Sequence, residues 1–395
     1  MSCWFRATVV LAAALGVQGL AAQEDFGRCR ERLAAAAVAR GIAPATANAI
    51  LETVEPLERV ISADRNQAEF VQDFASYLGA RVTAARVTLG RALYATHRPL
   101  LDTLASTYGV PGQYLVAFWG LESNFGRNLG DVPVFNSLAT LACDQRRADY
   151  FTDEFINALT IVERGDAVPA EMIGSWAGAM GQTQFMPSVY LEHAVDGDGD
   201  GRANLWTSPT DALTSAAAFV DSLGWEGGYR WGREVRLPAG FDYALAGLDQ
   251  PRALAMWRSA GIRGTDGNPV PDLPIDAALI VPAGSDGPAF LVYDNFRVIM
   301  RWNRSEFFAL SIGHLADRIA GAGGLERPPP QGERLSRDQL ASIQQALSAA
   351  GFDAGAADGV PGSATRAAIR EFQASRGLVA DGFADSELLT QLGIE

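Results

Sequence analysis

The sequence predicts an α+β chain that is mainly helical, with small β parts and a three-helix unit at its C-terminal end. Three observations carry this expectation. From Phe26 to about Leu138, Ala-rich amphipathic stretches alternate with breaks such as Gly41-Ile42-Ala43-Pro44 and Gly109-Val110-Pro111-Gly112. Between about Trp231 and Trp302 the pattern changes to Gly, Pro and Asp clusters. There two short apolar runs, Ala278–Pro282 and Phe290–Tyr293, flank Gly-Ser-Asp-Gly-Pro, a strand–turn–strand signal. Helical pattern returns at Arg304–Ile319 and again, in three short pieces, after Pro328-Pro329-Pro330.

Residues 1–22 are expected to be a secretory signal peptide. Arg6 supplies the positive start, Ala7–Leu15 is an apolar run too short to span a bilayer, and Gly19, Ala21 and Ala22 follow as small residues. The alternative is a buried N-terminal helix. No other segment reaches the roughly 18 apolar residues of a membrane helix. Cys3 precedes the apolar run, the wrong order for a lipid-anchor cysteine. Cys29 and Cys143 remain. In an oxidising compartment they suggest one disulfide, with two buried free thiols as the alternative.

Charge narrows the function classes. The basic residues number 32 and all are arginine. Without lysine there is no P-loop lysine and no Schiff-base lysine. The net charge of −14 makes the chain a poor candidate for nonspecific nucleic-acid binding, and nothing favours an anionic membrane surface. Its three histidines, His97, His193 and His314, lie in no recognisable nucleophile motif, and His/Cys spacing for zinc is lacking.

One carboxylate is placed for acid chemistry. Pro111 is a good first-turn residue for a helix in which Tyr114, Ala117, Phe118 and Leu121 form one apolar stripe. Glu122 ends that helix, and Ser123-Asn124-Phe125-Gly126 breaks it. Flanked by Phe118, Trp119 and Phe125, the carboxyl should be partly desolvated and so held in its neutral form. A general acid for a glycosidic oxygen needs this. The alternative is a solvated surface glutamate. A second constellation is Gly174-Ser175-Trp176-Ala177-Gly178-Ala179-Met180-Gly181-Gln182-Thr183-Gln184-Phe185-Met186-Pro187-Ser188. Its small residues allow close backbone approach to a ligand. Gln184 offers an amide, Ser175 a hydroxyl, and Trp176 and Phe185 flat faces on which sugars stack. Tight helix packing around a turn is the alternative.

These motifs resemble the B-type lytic murein transglycosylases. The resemblance rests on Glu122-Ser123-x-x-Gly126, on the Gly178–Ser188 run, on Leu138-Ala139-Thr140-Leu141 with Arg146-Arg147-Ala148-x-Tyr150-Phe151, and on the Asp-rich loop that follows. It covers about residues 25–322. It implies a lysozyme-like helical core with added α and β parts. It also implies cleavage of the MurNAc–GlcNAc β-1,4 bond of peptidoglycan without water, leaving 1,6-anhydro-MurNAc ends. Glu122 matches the catalytic glutamate, Ser175 a serine that hydrogen-bonds it, and Gln184 a substrate-binding glutamine. Asn303, in Arg301-Trp302-Asn303-Arg304-Ser305, resembles the family's Tyr-Asn pair, with Trp302 in place of the tyrosine. Phe308 likewise stands where a tyrosine is usual. Both replacements keep an aromatic face and remove a hydroxyl. The alternative for Asn303 is a helix N-cap for Arg304–Ile319. No organic cofactor is implied, and the implied partner is the peptidoglycan glycan strand in the periplasm. Rival readings are a lysozyme-type muramidase, which would need a second carboxylate, and a non-catalytic peptidoglycan-binding scaffold.

Asp196-Gly197-Asp198-Gly199-Asp200-Gly201-Arg202-Ala203-Asn204 reads like an EF-hand loop. Asp196, Asp198 and Asp200 occupy the first, third and fifth positions, and Gly201 allows the sharp turn. Arg202 would contribute its backbone carbonyl. Thr207 stands where the bidentate glutamate belongs, and Asp211 is the replacement that the resemblance supports. One structural Ca²⁺ is expected, against a metal-free turn or a Na⁺ site.

The domain reading is a signal peptide at 1–22, a catalytic domain at 23–325, a Pro-rich linker at 326–334 and a final domain at 335–395. Helices are expected at about Ser336–Ala350, Ser363–Ser375 and Asp385–Leu392, with turns at Asp358-Gly359 and Asp381-Gly382. Ile343, Leu347, Ile369 and Phe372 are its core candidates. This stretch resembles the peptidoglycan-binding type 1 module, which points to the same polymer.

Overall fold

The computed structural model describes residues 17–65, 72–331 and 335–394. Residues 1–16 of the expected signal peptide and 332–334 of the expected linker lie outside the described residues. The chain forms two compact units, one within Met1–Arg65 and Leu129–Glu192, the other within Asn66–Asn128 and His193–Glu395. The stretch read as one catalytic domain is therefore shared between both units, and the C-terminal stretch belongs to the second.

The first unit is built on helices Val17–Ala39, Pro44–Leu51, Glu58–Arg65, Val134–Ala142, Ala148–Glu163 and Pro187–His193. Leu33, Ala37, Leu138, Leu141, Phe155 and Leu159 are buried, and Phe135 meets Phe155 edge-on at 5.6 Å. Each such large side chain contributes about 1.5–3 kcal/mol by leaving water. Asp64 is 4% exposed, and a carboxylate so buried needs a cationic partner. Arg146 Nε donates to it at 2.9 Å, and Arg147 pairs with its other oxygen. The two arginines of the family-like motif thus have a structural task. Cys29 and Cys143 form the expected disulfide, with Cα atoms 5.8 Å apart. Beside it Arg32 donates to the Ala142 carbonyl at 2.8 Å, closing the free end of Val134–Ala142.

In the second unit the helix Gly112–Ser123 is the centre of the core. Tyr114 through Gly120 are all buried, so the expected single stripe understates its burial. Such a helix is apolar on every side because other helices cover every side. Ala84–Thr96, Arg98–Tyr108, Pro209–Ser222 and Glu306–Ile319 pack around it. Gly112 and Gly120 permit that approach: a Cβ there would come within 2.7 Å of Leu101 Cβ and 2.8 Å of Phe125 Cε1. Pro111 stands at the N-cap, not in the first turn.

The strand–turn–strand reading holds within a larger sheet. Asp276–Ile280 pairs antiparallel with Ala289–Val292, in the register Leu279↔Leu291 and Ile280↔Phe290. Arg252–Ala253 flanks the first strand. Gly232–Arg236 and then Arg263–Gly264 follow beside the second. Both central strands are apolar on both faces because helices cover one face and a small core around Trp257, Ile262 and Leu291 covers the other.

The C-terminal helices are Arg337–Ala349, Ser363–Ser375 and Ser386–Leu392, close to expectation. Ser336 and Gln339 form a reciprocal capping box. Ile343, Leu347, Ile369 and Phe372 are buried as expected. Each Asp-Gly turn is held by a buried glutamine. Gln344 Oε1 accepts from Gly359 N at 2.8 Å, and Gln373 Oε1 accepts from Gly382 N at 2.8 Å. The linker begins against the body, because Glu326 N and Arg327 N donate to the Glu234 carboxylate at 2.9 and 2.8 Å.

The disulfide joins residues 114 apart, so its loss enlarges the unfolded ensemble of the first unit. Reductant, or Cys143→Ser, is expected to remove about 2–5 kcal/mol. Melting curves with and without reductant check this, and coincident curves would refute it.

Candidate active site

Glu122 lies in the last turn of Gly112–Ser123 and is partly buried. Trp302 Nε1 donates to its Oε1 at 2.7 Å. The Trp302 ring stacks on Phe118 at 4.4 Å and 30°, and Phe219 lies 5.0 Å from it at 45°. The carboxylate therefore stands at the end of a core helix, with an aromatic cluster and an indole donor beside it. Phe308 is buried near Phe118 at 6.3 Å, a packing residue here.

The break after Glu122 is a tight left-handed turn. Asn124, Phe125 and Gly126 have φ of 51°, 61° and 77°. Phe125 N donates to Trp119 O at 3.0 Å, Gly126 N to Ser123 Oγ at 2.9 Å, and Asn128 N to Ser123 O at 2.8 Å. The turn folds Phe125 back, edge-on to Trp119 at 5.8 Å. Asn303 ends the helix Asp294–Trp302, and its Oδ1 accepts from Ser305 N at 3.1 Å. The N-cap of Glu306–Ile319 is Ser305, which accepts from Phe308 N, and not Asn303. The helix starts later because Asn303 is still extended backbone closing the preceding helix.

Ser175, Gln184 and Phe185 belong to the first unit. Their segment is a strand-like turn and not tight helix packing. Ile173–Gly174 pairs with Val132–Pro133, Gly174 bridges to Met180, and Met180 bridges to Phe185. Ser175 Oγ accepts from Ala179 N at 3.1 Å and Ala177 N at 3.3 Å. Gln184 has φ 50°, and its amide donates to Gly181 O at 2.9 Å and Leu129 O at 3.2 Å. Two glycines are obligatory. A Cβ on Gly178 would come within 2.4 Å of Leu138 Cδ2, and one on Gly130 within 1.9 Å of Gly174 O. Phe185 is 2% exposed. The stacking face expected of it is not available to a sugar, and its part is support, through two backbone bonds to Met180.

Among the described residues, the non-glycine positions with left-handed backbone are Asn124, Phe125 and Gln184. Each costs on the order of 1 kcal/mol, and such strain concentrates at functional sites. All three lie in the two motifs singled out from sequence.

Glu154 escaped the sequence reading. It is buried on Ala148–Glu163 and accepts from Ser188 N at 2.9 Å and Ser188 Oγ at 2.6 Å. It thereby anchors the far end of the Gly174–Ser188 segment at the start of Pro187–His193. The available signal was a lone acid on a helix face otherwise made of Phe151, Phe155, Ala158 and Leu159.

In the Asp-rich loop, Asp196, Asp198 and Asp211 each bring an oxygen within 4.8 Å of the others. Asp200 is not in that group, and its Oδ1 accepts from Arg202 N at 2.9 Å. The loop is shaped by its own carboxylates. Asp196 accepts from Gly199, Asp200 and Gly201, while Asp211 accepts from Gly197, Asp198 and Asn204. A hard cation suits such a set of oxygen donors.

The transglycosylase SLT domain matches residues 25–317, and a putative peptidoglycan binding domain matches 336–392. The chain belongs to the transglycosylase SLT domain family. Membrane-bound lytic murein transglycosylase B of Escherichia coli (strain K12) is 32% identical over 252 residues. That match spans 60% of this chain and 65%, somewhat under two thirds, of the relative's own length. SltB3 of Pseudomonas aeruginosa, solved in complex with NAG-anhNAM-pentapeptide, is 42% identical, with a TM-score of 0.89 over 93% of this chain and 99% of that one. Escherichia coli Slt35, solved in complex with calcium, is 28% identical, with a TM-score of 0.62 over 76% of this chain and 92% of that one. The fold is the lysozyme-like, mainly helical α+β fold of these transglycosylases.

Ser188→Ala would leave the buried Glu154 with one donor fewer. The expected loss is about 1–3 kcal/mol of stability, read by denaturant titration. An unchanged midpoint would show that Glu154 does not anchor the segment.

Proposed function

We propose that this chain cleaves the MurNAc–GlcNAc β-1,4 bond of peptidoglycan non-hydrolytically, with Glu122 as the catalytic residue. Glu122 Oε1 accepting the Trp302 indole N–H at the end of a core helix is the observation that carries the proposal. Family membership and the NAG-anhNAM ligand of SltB3 support it. In the first step the Glu122 proton passes to the glycosidic oxygen while the C1–O bond breaks. In the second, the carboxylate takes the proton of the MurNAc C6 hydroxyl. The C6 oxygen then bonds to C1, which closes the anhydro ring. Glu122 ends protonated, no water is consumed, and one residue serves as acid and then base.

Ser175 and Gln184 enter the proposal as supporting and substrate-binding residues through their motif, Trp302 as a neighbour of Glu122 in space, and Asn303 through its motif beside Trp302. The C-terminal unit is proposed to hold the same polymer. The proposed location is the periplasm, reached through the N-terminal signal at 1–22. Glu122→Gln keeps the side-chain shape and removes the proton. Wild-type protein acting on purified sacculi is expected to release anhydro-muropeptides by mass spectrometry, and Glu122→Gln to fall at least about 10³-fold. Reducing-end products would establish a muramidase instead, and sacculus binding without release would establish a scaffold.

We further propose that Asp196, Asp198 and Asp211 hold one structural Ca²⁺. A cation that binds only the folded chain stabilises it, by about 2.7 kcal/mol at a hundredfold excess over its dissociation constant. Calcium is expected to raise the melting temperature relative to EGTA, and Asp196→Asn with Asp198→Asn to abolish the difference. Equal melting curves for the wild type would overturn the site.

A further inference from the structure

We infer that Trp302 is a positioning residue that decides which oxygen of Glu122 carries the acid proton. The inference rests on the catalytic reading of Glu122 and adds to it. An indole N–H donates and never accepts. With Trp302 Nε1 2.7 Å from Glu122 Oε1, a proton on Oε1 would leave the indole only a hydroxyl oxygen, a poorer acceptor than the carbonyl oxygen. The neutral carboxyl therefore carries its proton on Oε2 and presents Oε1 to the indole as a carbonyl oxygen. A tyrosine hydroxyl, which both donates and accepts, would permit either arrangement. The replacement of a hydroxyl by an indole thus removes an ambiguity along with the hydroxyl.

Packing favours this orientation of the ring. Phe118 stacks on it at 4.4 Å and Phe219 lies at 5.0 Å, so its orientation is set by packing from two elements. Phe118 is one turn before Glu122 on the same helix, which couples the indole and the carboxyl through one rigid segment. The donor also favours the chemistry. An N–H bond to a carboxylate is stronger than one to a neutral carboxyl, so it strengthens as the proton leaves Oε2 for the glycosidic oxygen. Trp302 therefore acts in the transition state more than in substrate binding.

The test uses three full-length variants. Trp302→Phe keeps a stacking ring and removes the donor. On a soluble NAG–NAM tetrasaccharide, kcat is expected to fall about 10- to 100-fold with KM nearly unchanged. Trp302→Tyr restores a donor and is expected to recover kcat over Trp302→Phe. Independently of activity, the Trp302 indole ¹H–¹⁵N resonance, assigned by its absence in Trp302→Phe, is expected to shift in Glu122→Ala. A resonance unmoved by Glu122→Ala, or wild-type kcat in Trp302→Phe, would overturn the inference. Activity retained in Glu122→Ala would instead overturn the catalytic reading, while the resonance still reported the hydrogen bond.

Discussion

The second unit depends on one constraint: a carboxylate terminates a helix that is otherwise buried on all sides. Gly112–Ser123 can occupy the core because Tyr114 through Gly120 carry no charge and Gly112 and Gly120 leave room for Leu101 and Phe125. Glu122 is where that helix meets polar chemistry. A buried or half-buried carboxyl without a donor is costly. The indole of Trp302 supplies the donor, and the aromatic packing of Phe118 and Phe219 holds the indole. The surrounding helices, Glu306–Ile319 above all, can be read as the frame for this arrangement.

Both motif segments carry backbone strain that their contacts hold in place. Asn124 and Phe125 turn the chain sharply after Glu122, and Gln184 does so within the first unit. Each left-handed residue is offset by hydrogen bonds in the turn around it, such as Phe125 N to Trp119 O and the Gln184 amide to Gly181 O. Glycines with no room for a Cβ, Gly130 and Gly178, complete the second turn. Buried charges serve as anchors at its rim: Glu154 holds Ser188. Elsewhere in the unit Asp64 is neutralised by two arginines.

The C-terminal three-helix stretch repeats one device twice. A buried glutamine on a helix, Gln344 or Gln373, accepts from the glycine of an Asp-Gly turn. The same stretch is tied to the body, where Asp381 Oδ2 accepts from Ser285 N at 2.7 Å beside Gly284. The three prolines that read as a spacer in sequence therefore join parts that also touch directly.

Local patterns were legible in the sequence alone. The helix ending near Glu122, the paired strands at 276–292 and the three terminal helices follow from periodicity and turn residues, properties of neighbouring residues, and the Cys29–Cys143 pair from cysteine count. Motif order made the family legible too. Tertiary structure decided what depends on partners distant in sequence. The indole of Trp302 reaches Glu122 across 180 residues, and Glu154 reaches Ser188 across 34. Packing also buried Phe185. Those outcomes turn on angstrom-scale proximity between elements, which hydrophobic period and residue type do not encode.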